Sequence, residues 1–103
     1  MSIYKIELKQ APWESPMKRL RFKVIKDSRK QLRVVEYSNE MEPHWCEKGH
    51  MGYVLEGQME IQFTHKKVVF YPGDGLLIPS GKDHRHSAKV LSEKAVLIMF
   101  EDL

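Results

Sequence analysis

The stretch that decides the fold of this 103-residue chain is Gly73-Asp-Gly-Leu-Leu-Ile-Pro79-Ser-Gly81-Lys-Asp-His84. Its short apolar run, bounded by Gly and Pro, is typical of a buried strand between two turns. A second stretch, His44-Trp-Cys46-Glu-Lys-Gly-His50, precedes another strand-like run that ends at Gly57. Imidazole and thiolate are the side chains that bind borderline and soft divalent metals. The two stretches therefore predict one metal site built from separated segments.

Short strands separated by turns account for almost the whole chain. The strand candidates are residues 3–8, 20–25, 32–37, 53–55, 59–63, 68–71, 76–78 and 95–100. The last run is apolar throughout, which is typical of a central strand, and a loop is expected around Pro12 and Pro16. Asp27-Ser28-Arg29 is a turn composition that predicts a hairpin between the second and third candidates. With no sustained helical period, the pattern predicts one all-β domain, an antiparallel sandwich or barrel.

The charge of the chain is modest but unevenly placed. Its 17 basic and 14 acidic residues give a net charge of +3, and the basic residues crowd positions 18–33. Between Arg19 and Val24 they alternate with apolar residues, as in a strand with one solvent-exposed face and one buried face. A solvated strand face is therefore favoured over a nucleic-acid surface, and no nucleic-acid partner is expected.

The single cysteine and the lack of long apolar runs bear on the cellular compartment. Cys46 is the only cysteine, so no intramolecular disulfide can form. The N-terminus lacks the apolar core of a signal peptide, and no run approaches the length of a membrane span. A reducing cytoplasm and no membrane partner are therefore expected.

The two metal-motif stretches resemble the paired motifs of the cupin family, in its small, single-domain, type-2-like form. The family's first motif is H-x-H, three or four residues, E, six residues, G; the corresponding residues here are His44, Cys46, His50 and Gly57. The second motif is G, five residues, P-x-G-x-x-H-x-x-x-N; the corresponding residues here are Gly73, Pro79, Gly81, His84 and Ala88. The resemblance implies an antiparallel jelly-roll barrel, with residues 1–103 as one cupin domain, motif one at about 44–57 and motif two at about 73–88.

The resemblance also implies a ligand set. Cys46 stands where the family has a second His, and His50 stands where it has a carboxylate. Three neutral imidazoles and one thiolate keep the single negative charge of the usual three His and one carboxylate. The implied ligands of one divalent transition metal are His44, Cys46, His50 and His84. Zn, Fe or Ni is the expected metal, since a thiolate disfavours Mg and Ca.

The same His and Cys residues also have interpretations that need no metal, or only a smaller ligand set. A buried His is often a core residue with satisfied hydrogen bonds, and a free Cys is often a small apolar filler. Without Cys46, a three-His site would remain. Glu47 is an alternative carboxylate ligand, although its parity against Cys46 points it outward. His86, two residues after His84, is a candidate fifth ligand, hydrogen-bonding neighbour of a ligand, or catalytic proton shuttle.

Two classes of function fit these motifs. The first is a metal-dependent enzyme acting on a small organic acid, sugar derivative or thiol, with His86 as the candidate acid or base. The alternative is a non-catalytic module, either metal-stabilised or metabolite-binding. An open metal position facing a pocket favours the enzyme, whereas a closed tetrahedron favours the module. A homodimer is expected, because so small a barrel leaves apolar residues on its outer faces.

Overall fold

The computed structural model describes residues 4–103, which form ten strands. In chain order these are β1 (Glu14–Met17), β2 (Leu20–Lys26), β3 (Lys30–Ser38), β4 (Trp45–Cys46), β5 (His50–Glu56), β6 (Met59–Gln62), β7 (Lys67–Phe70), β8 (Gly75–Ile78), β9 (His86–Val90) and β10 (Lys94–Asp102). Within that described range the helical segments are two single 3-10 turns, Leu8–Gln10 and Lys82–His84. None of its helices is long and apolar enough to cross a membrane.

The strands form two sheets in which every pairing is antiparallel. One sheet has six strands in the order β1-β2-β3-β10-β5-β8, and the other has four in the order β4-β9-β6-β7. Neighbours in each sheet are often distant in sequence, as in a jelly roll. The predicted all-β, antiparallel jelly-roll fold is confirmed.

Two of the predicted local features appear in the larger sheet. The apolar run at 95–100 lies in β10, the central strand between β3 and β5. The hairpin between β2 and β3 turns at Asp27, whose carboxylate accepts hydrogen bonds of 2.7 Å from the backbone N–H groups of Arg29 and Lys30. These backbone hydrogen bonds lower the pKa of Asp27. The turn chemistry thus sets the register with which β2 meets β3.

The core lies between the two sheets, where alternate residues of each strand face inward. Leu97 of β10 pairs with Val35 of β3 on one side and with Val54 of β5 on the other. The buried apolar residues are Leu20, Val35, Met41, Val54, Met59, Ile61, Leu76, Ile78, Val90, Ala95, Leu97 and Met99. Both sheets contribute to this set, so the two sheets share a single core.

The N-terminal segment differs from the sequence prediction. Of the predicted strand at 3–8, residue 3 lies outside the described residues, and residues 4–8 form no strand. Side-chain contacts hold this region instead: Lys23 Nζ donates a 2.9 Å hydrogen bond to the Leu8 carbonyl, and Arg21 stacks 4.0 Å from the Trp13 ring. The predicted loop around Pro12 and Pro16 is also wrong in part, because β1 forms there. An edge strand tolerates Pro, which cannot donate to a ladder.

Candidate metal centre

Three strands bring one cysteine and two histidines together. Cys46 ends β4, His50 begins β5 and His86 begins β9. Cys46 and His86 are direct partners in the β4–β9 pairing, which places their side chains side by side. One ligand atom from each of the three residues lies within 4.8 Å of the others. The group therefore offers one sulfur and two nitrogen donors at a single point.

This group lies on the wall of a cavity of about 440 Å³ between the sheets. The cavity is also lined by apolar residues of β2 such as Phe22 and by the polar side chains of Tyr37 and Arg33. Its volume falls within the range of small-molecule sites. A metal ion held by the group would therefore face a half-open cleft rather than a packed core.

The structure separates the histidines that motif spacing groups together. His44 lines the same cavity but is exposed and lies outside the close group. His84 lies in the 3-10 turn Lys82–His84, is exposed, and lines a different cavity together with His65. The expectation that His84 lies on a strand and shares a face with His86 is wrong, because the turn ends at His84 and β9 begins only at His86. Of the four implied ligands, the close group includes Cys46 and His50 alone.

His86 has the properties of a neutral imidazole ligand. Its side chain is buried, and its Nδ1 lies 3.1 Å from the carbonyl oxygen of His84. A carbonyl can only accept, so Nδ1 donates and Nε2 carries the free lone pair. Burial lowers the pKa of His86; the His84 hydrogen bond opposes this change, and nearby His50 and His44 reinforce it. The metal-binding form is therefore the favoured one.

His50 is held by a buried carboxylate that lies outside both motifs. Its Nδ1 is 2.5 Å from Oε2 of Glu101, near the end of β10. Arg33 donates to both oxygens of the same carboxylate, at 2.5 and 2.7 Å, and Gln31 Nε2 donates at 2.8 Å. Burial opposes ionisation of Glu101, but the hydrogen bonds from His50, Arg33 and Gln31 outweigh it and hold the pKa well below its usual range. The carboxylate is therefore charged.

Sequence reasoning missed Glu101, Arg33 and Gln31, although a signal was present. The inward positions of β10 follow period two through Leu97 and Met99, and the same parity reaches Glu101. A charged residue that points inward needs a hydrogen-bonding or charged partner. On the neighbouring strand β3, Gln31 and Arg33 share the parity of the inward residue Val35. They therefore point to the same side as Glu101 and are the candidate partners. Glu47, the alternative carboxylate ligand, is exposed, as its parity predicts.

The family follows from a comparison with family models. The model of the Cupin domain matches residues 32–100, which is about two thirds of the chain. The chain belongs to the cupin family. No curated protein matches this cupin by sequence.

Solved structures support the same fold for this cupin. KdgF from Halomonas sp. is 20% identical with a TM-score of 0.75, and the match covers 91% of this chain and 89% of that one. The polyketide cyclase RemF from Streptomyces resistomycificus is 20% identical with a TM-score of 0.77, covering 98% and 80%. HppE in its FeII form is 12% identical with a TM-score of 0.74, covering 93% and 57%. At these identities the likeness shows a shared fold.

The donor set of this cupin suits a transition metal. A thiolate and two imidazoles are ligands for Zn or for Fe and Ni, and they leave at least one coordination position open. Cys46 has no disulfide partner, and the backbone N–H of Lys48 lies 3.4 Å from its sulfur, within hydrogen-bonding distance for sulfur.

Proposed function

We propose that this cupin binds one divalent transition metal through Cys46, His50 and His86, and binds a small organic ligand beside it. The observation that carries the proposal is a three-donor group within 4.8 Å on the wall of a cavity of about 440 Å³. Zn, Fe and Ni are the candidate metals, and the similarity to HppE in its FeII form supports Fe among them. His44 lines the same cavity and is a candidate fourth ligand.

The three-donor group favours a reactive site over a purely structural one. Structural Zn sites are closed by four protein ligands, whereas catalytic sites keep a position open for water or substrate, as the three donors here do unless His44 fills it. A divalent metal in this group would supply Lewis acidity toward an oxygen of the bound ligand. A metal-dependent enzyme is therefore the preferred function, and a non-catalytic metal-stabilised module is the alternative. His86 acts as acid or base only if the metal is held without it.

The cavity lining favours an organic acid over a neutral or thiol ligand. Lys26 and Lys48 line it, against one carboxylate, that of Glu14, while Arg33 lines it already paired with Glu101. The hydroxyl of Tyr37 also lines it and has no hydrogen-bond partner within residues 4–103. Burial raises the pKa of Tyr37 to about 12, so the hydroxyl stays protonated and can donate to a ligand oxygen. A small carboxylate, alone or on a sugar, fits these groups best.

Metal content measures the ligand set directly. Elemental analysis of protein purified without added metal is expected to show about one transition-metal ion per chain. His50→Ala and His86→Ala should each remove most of it, and Cys46→Ser should weaken binding and shift selectivity away from Zn, because a hydroxyl ionises poorly. His65→Ala is the matched control, since His65 is exposed and lies outside the close group.

His84→Ala separates the structural ligand set from the motif-based one. If His86 is the ligand, His84→Ala keeps the metal content of the His65→Ala control. Loss of metal in His84→Ala, with retention in His86→Ala, would show that His44, Cys46, His50 and His84 form the site. Unchanged metal content in every variant would show ordinary packing.

Ligand access to the metal distinguishes the enzyme from the module. Co(II)-substituted protein has a visible spectrum that reports its coordination. Added oxalate or acetate should shift that spectrum if a position is open, and Tyr37→Phe should weaken the effect. A spectrum insensitive to these carboxylates would favour the closed module.

Two further expectations concern the whole protein. A cytoplasmic location is proposed because the lone thiol Cys46 needs a reducing compartment to persist in its metal-binding form. A homodimer is proposed because Met51, Leu77 and Phe100 form an exposed apolar patch on the outer face of the six-stranded sheet.

A further inference from the structure

A chain of hydrogen bonds crosses three neighbouring strands behind the candidate metal centre. Glu101 of β10 lies between β3, which carries Gln31 and Arg33, and β5, which begins at His50. Gln31 is the direct cross-strand partner of Glu101. The Glu101 side chain has no solvent exposure, and those of Arg33 and His50 are largely buried. The residues therefore sit on rigid strands, away from competing water.

Every oxygen of the Glu101 carboxylate is used within the protein. Oε1 accepts from Gln31 Nε2 and Arg33 Nε, and Oε2 accepts from Arg33 Nη2 and His50 Nδ1. The two-pronged contact with Arg33 fixes the carboxylate plane, and Gln31 fixes it further. Glu101 is thus held as an acceptor for His50 and has no lone pair left over for a metal ion.

We propose that Glu101 is a positioning residue that presents His50 to the metal. By accepting the Nδ1 proton, it selects one tautomer, fixes the ring orientation and leaves Nε2 as the nitrogen that can bind. The inference rests on the proposed metal site. The family motif places a carboxylate ligand where this chain has His50. Here the Glu101 carboxylate would not touch the metal itself but would hold His50, which binds the metal.

Zn(II) alone tests the inference. Its dissociation constant is measured by competition with a chromophoric chelator, for the native protein and for Glu101→Gln, which keeps the side-chain shape without the charge. We expect Glu101→Gln to bind Zn(II) about 10- to 100-fold more weakly. Gln31→Met is the matched control, because it removes a hydrogen bond to the same carboxylate while leaving its contact with His50. It should change Zn(II) affinity less than about 3-fold, well below the loss expected for a broken ligand contact.

The outcomes separate positioning from stability and from the site itself. Thermal unfolding of the metal-free proteins should show both substitutions to be destabilising, so a stability loss alone cannot produce the affinity difference. Native protein that binds Zn(II), together with Glu101→Gln of equal affinity, would overturn the inference and leave the metal site standing. Native protein that binds no Zn(II) would overturn both.

A second measurement needs no variant. Nitrogen-proton correlation spectra of the imidazole groups in native metal-free protein distinguish the two tautomers of His50. We expect the proton on Nδ1. A proton on Nε2 would overturn the inference, even if Glu101→Gln failed to fold.

Discussion

At the residue scale, burial decides the protonation states that the site uses. Tyr37 and His86 both line the cavity, and burial raises the pKa of Tyr37 but lowers that of His86. In each case the neutral form is favoured, since a charge loses hydration between the sheets. The cavity thus holds a neutral phenol and a neutral imidazole near the charged Arg33–Glu101 pair. Such a wall can donate to a ligand oxygen and bind a metal ion at the same pH.

Tyr37 gives a pH dependence with a definite sign. Its pKa is raised from 10.0 to about 12 by burial, so the folded state keeps a proton that the unfolded state loses first. The stability contribution is fully present below pH 10 and is lost as pH rises toward 12. The slope is at most about 1.4 kcal/mol per pH unit.

Urea unfolding at about pH 9 and about pH 11 measures this slope. The Tyr37→Phe variant should lose less stability than native protein between the two values. Tyr71→Phe is the matched control, because Tyr71 is exposed, and it should behave as native. Equal losses for native protein and Tyr37→Phe would contradict the assignment of the raised pKa to Tyr37.

At the element scale, the turn between β5 and β6 depends on a glycine. Gly57 has φ of +82°, and a Cβ there would overlap the carbonyl oxygen of Lys94 in the neighbouring strand. An alanine would therefore meet both a strained backbone and a backbone clash. We expect Gly57→Ala to destabilise the fold by about 1–3 kcal/mol or more.

Gly75 supplies the comparison for Gly57. It lies in β8, and the nearest atom to an added Cβ is the Gly52 carbonyl oxygen at an ordinary 3.6 Å. Gly75→Ala should change stability by no more than about 0.5 kcal/mol. Chemical unfolding of the two variants measures the difference, and equal stabilities would show that the turn can relax around a side chain.

Strand β10 is the central strand of the larger sheet and contributes buried residues to the core. It pairs with β3 over its whole length and with β5 on the other side, and its residue Leu97 is only 2% exposed. Leu97→Ala should cost about 2–5 kcal/mol through lost burial and a residual cavity. Leu91→Ala, at an exposed position after β9, should stay within about 0.5 kcal/mol of native. Similar losses in urea unfolding would mean that β10 is not central to the core.

At the scale of the whole molecule, the outer face of the six-stranded sheet carries an apolar patch on β5, β8 and β10. Cross-strand partners align along it: Leu77 pairs with Met51, Met51 with Phe100, and Tyr53 with Ile98. Leu77 is 72% exposed and Phe100 is 56% exposed. A contiguous apolar surface on a domain of this size is typical of a protein interface. A second copy of the chain is the expected occupant, with the two faces packed about a two-fold axis.

Sedimentation velocity tests the homodimer. Native protein should sediment as a dimer at micromolar concentration, and Phe100→Lys should shift it to monomer by placing a charge in the interface. Val69→Lys is the matched control, because Val69 is exposed on β7 of the opposite sheet. A native protein that sediments as a clean monomer would contradict the prediction.

The sequence by itself determined the class of the fold and much of its layout. The all-β architecture, the β2–β3 hairpin and the central position of β10 all followed from period-two patterns and turn residues. These signals are local, because a strand's alternation and a turn's Gly or Pro act within a few residues. The prediction of a strand at 3–8 was wrong for residues 4–8, because it rested on a local alternation alone. A short alternation forms a strand only where a neighbouring strand pairs with it.

Only the tertiary structure decided the membership of the candidate site. Motif spacing grouped His84 with Cys46 and His50, but the 3-10 turn that ends at His84 leaves His86 as the histidine paired with Cys46. Glu101 is about fifty residues from His50 in sequence, and they meet because β10 lies beside β5. Side-chain direction after a turn and strand adjacency both depend on long-range packing, which no local pattern in the sequence encodes.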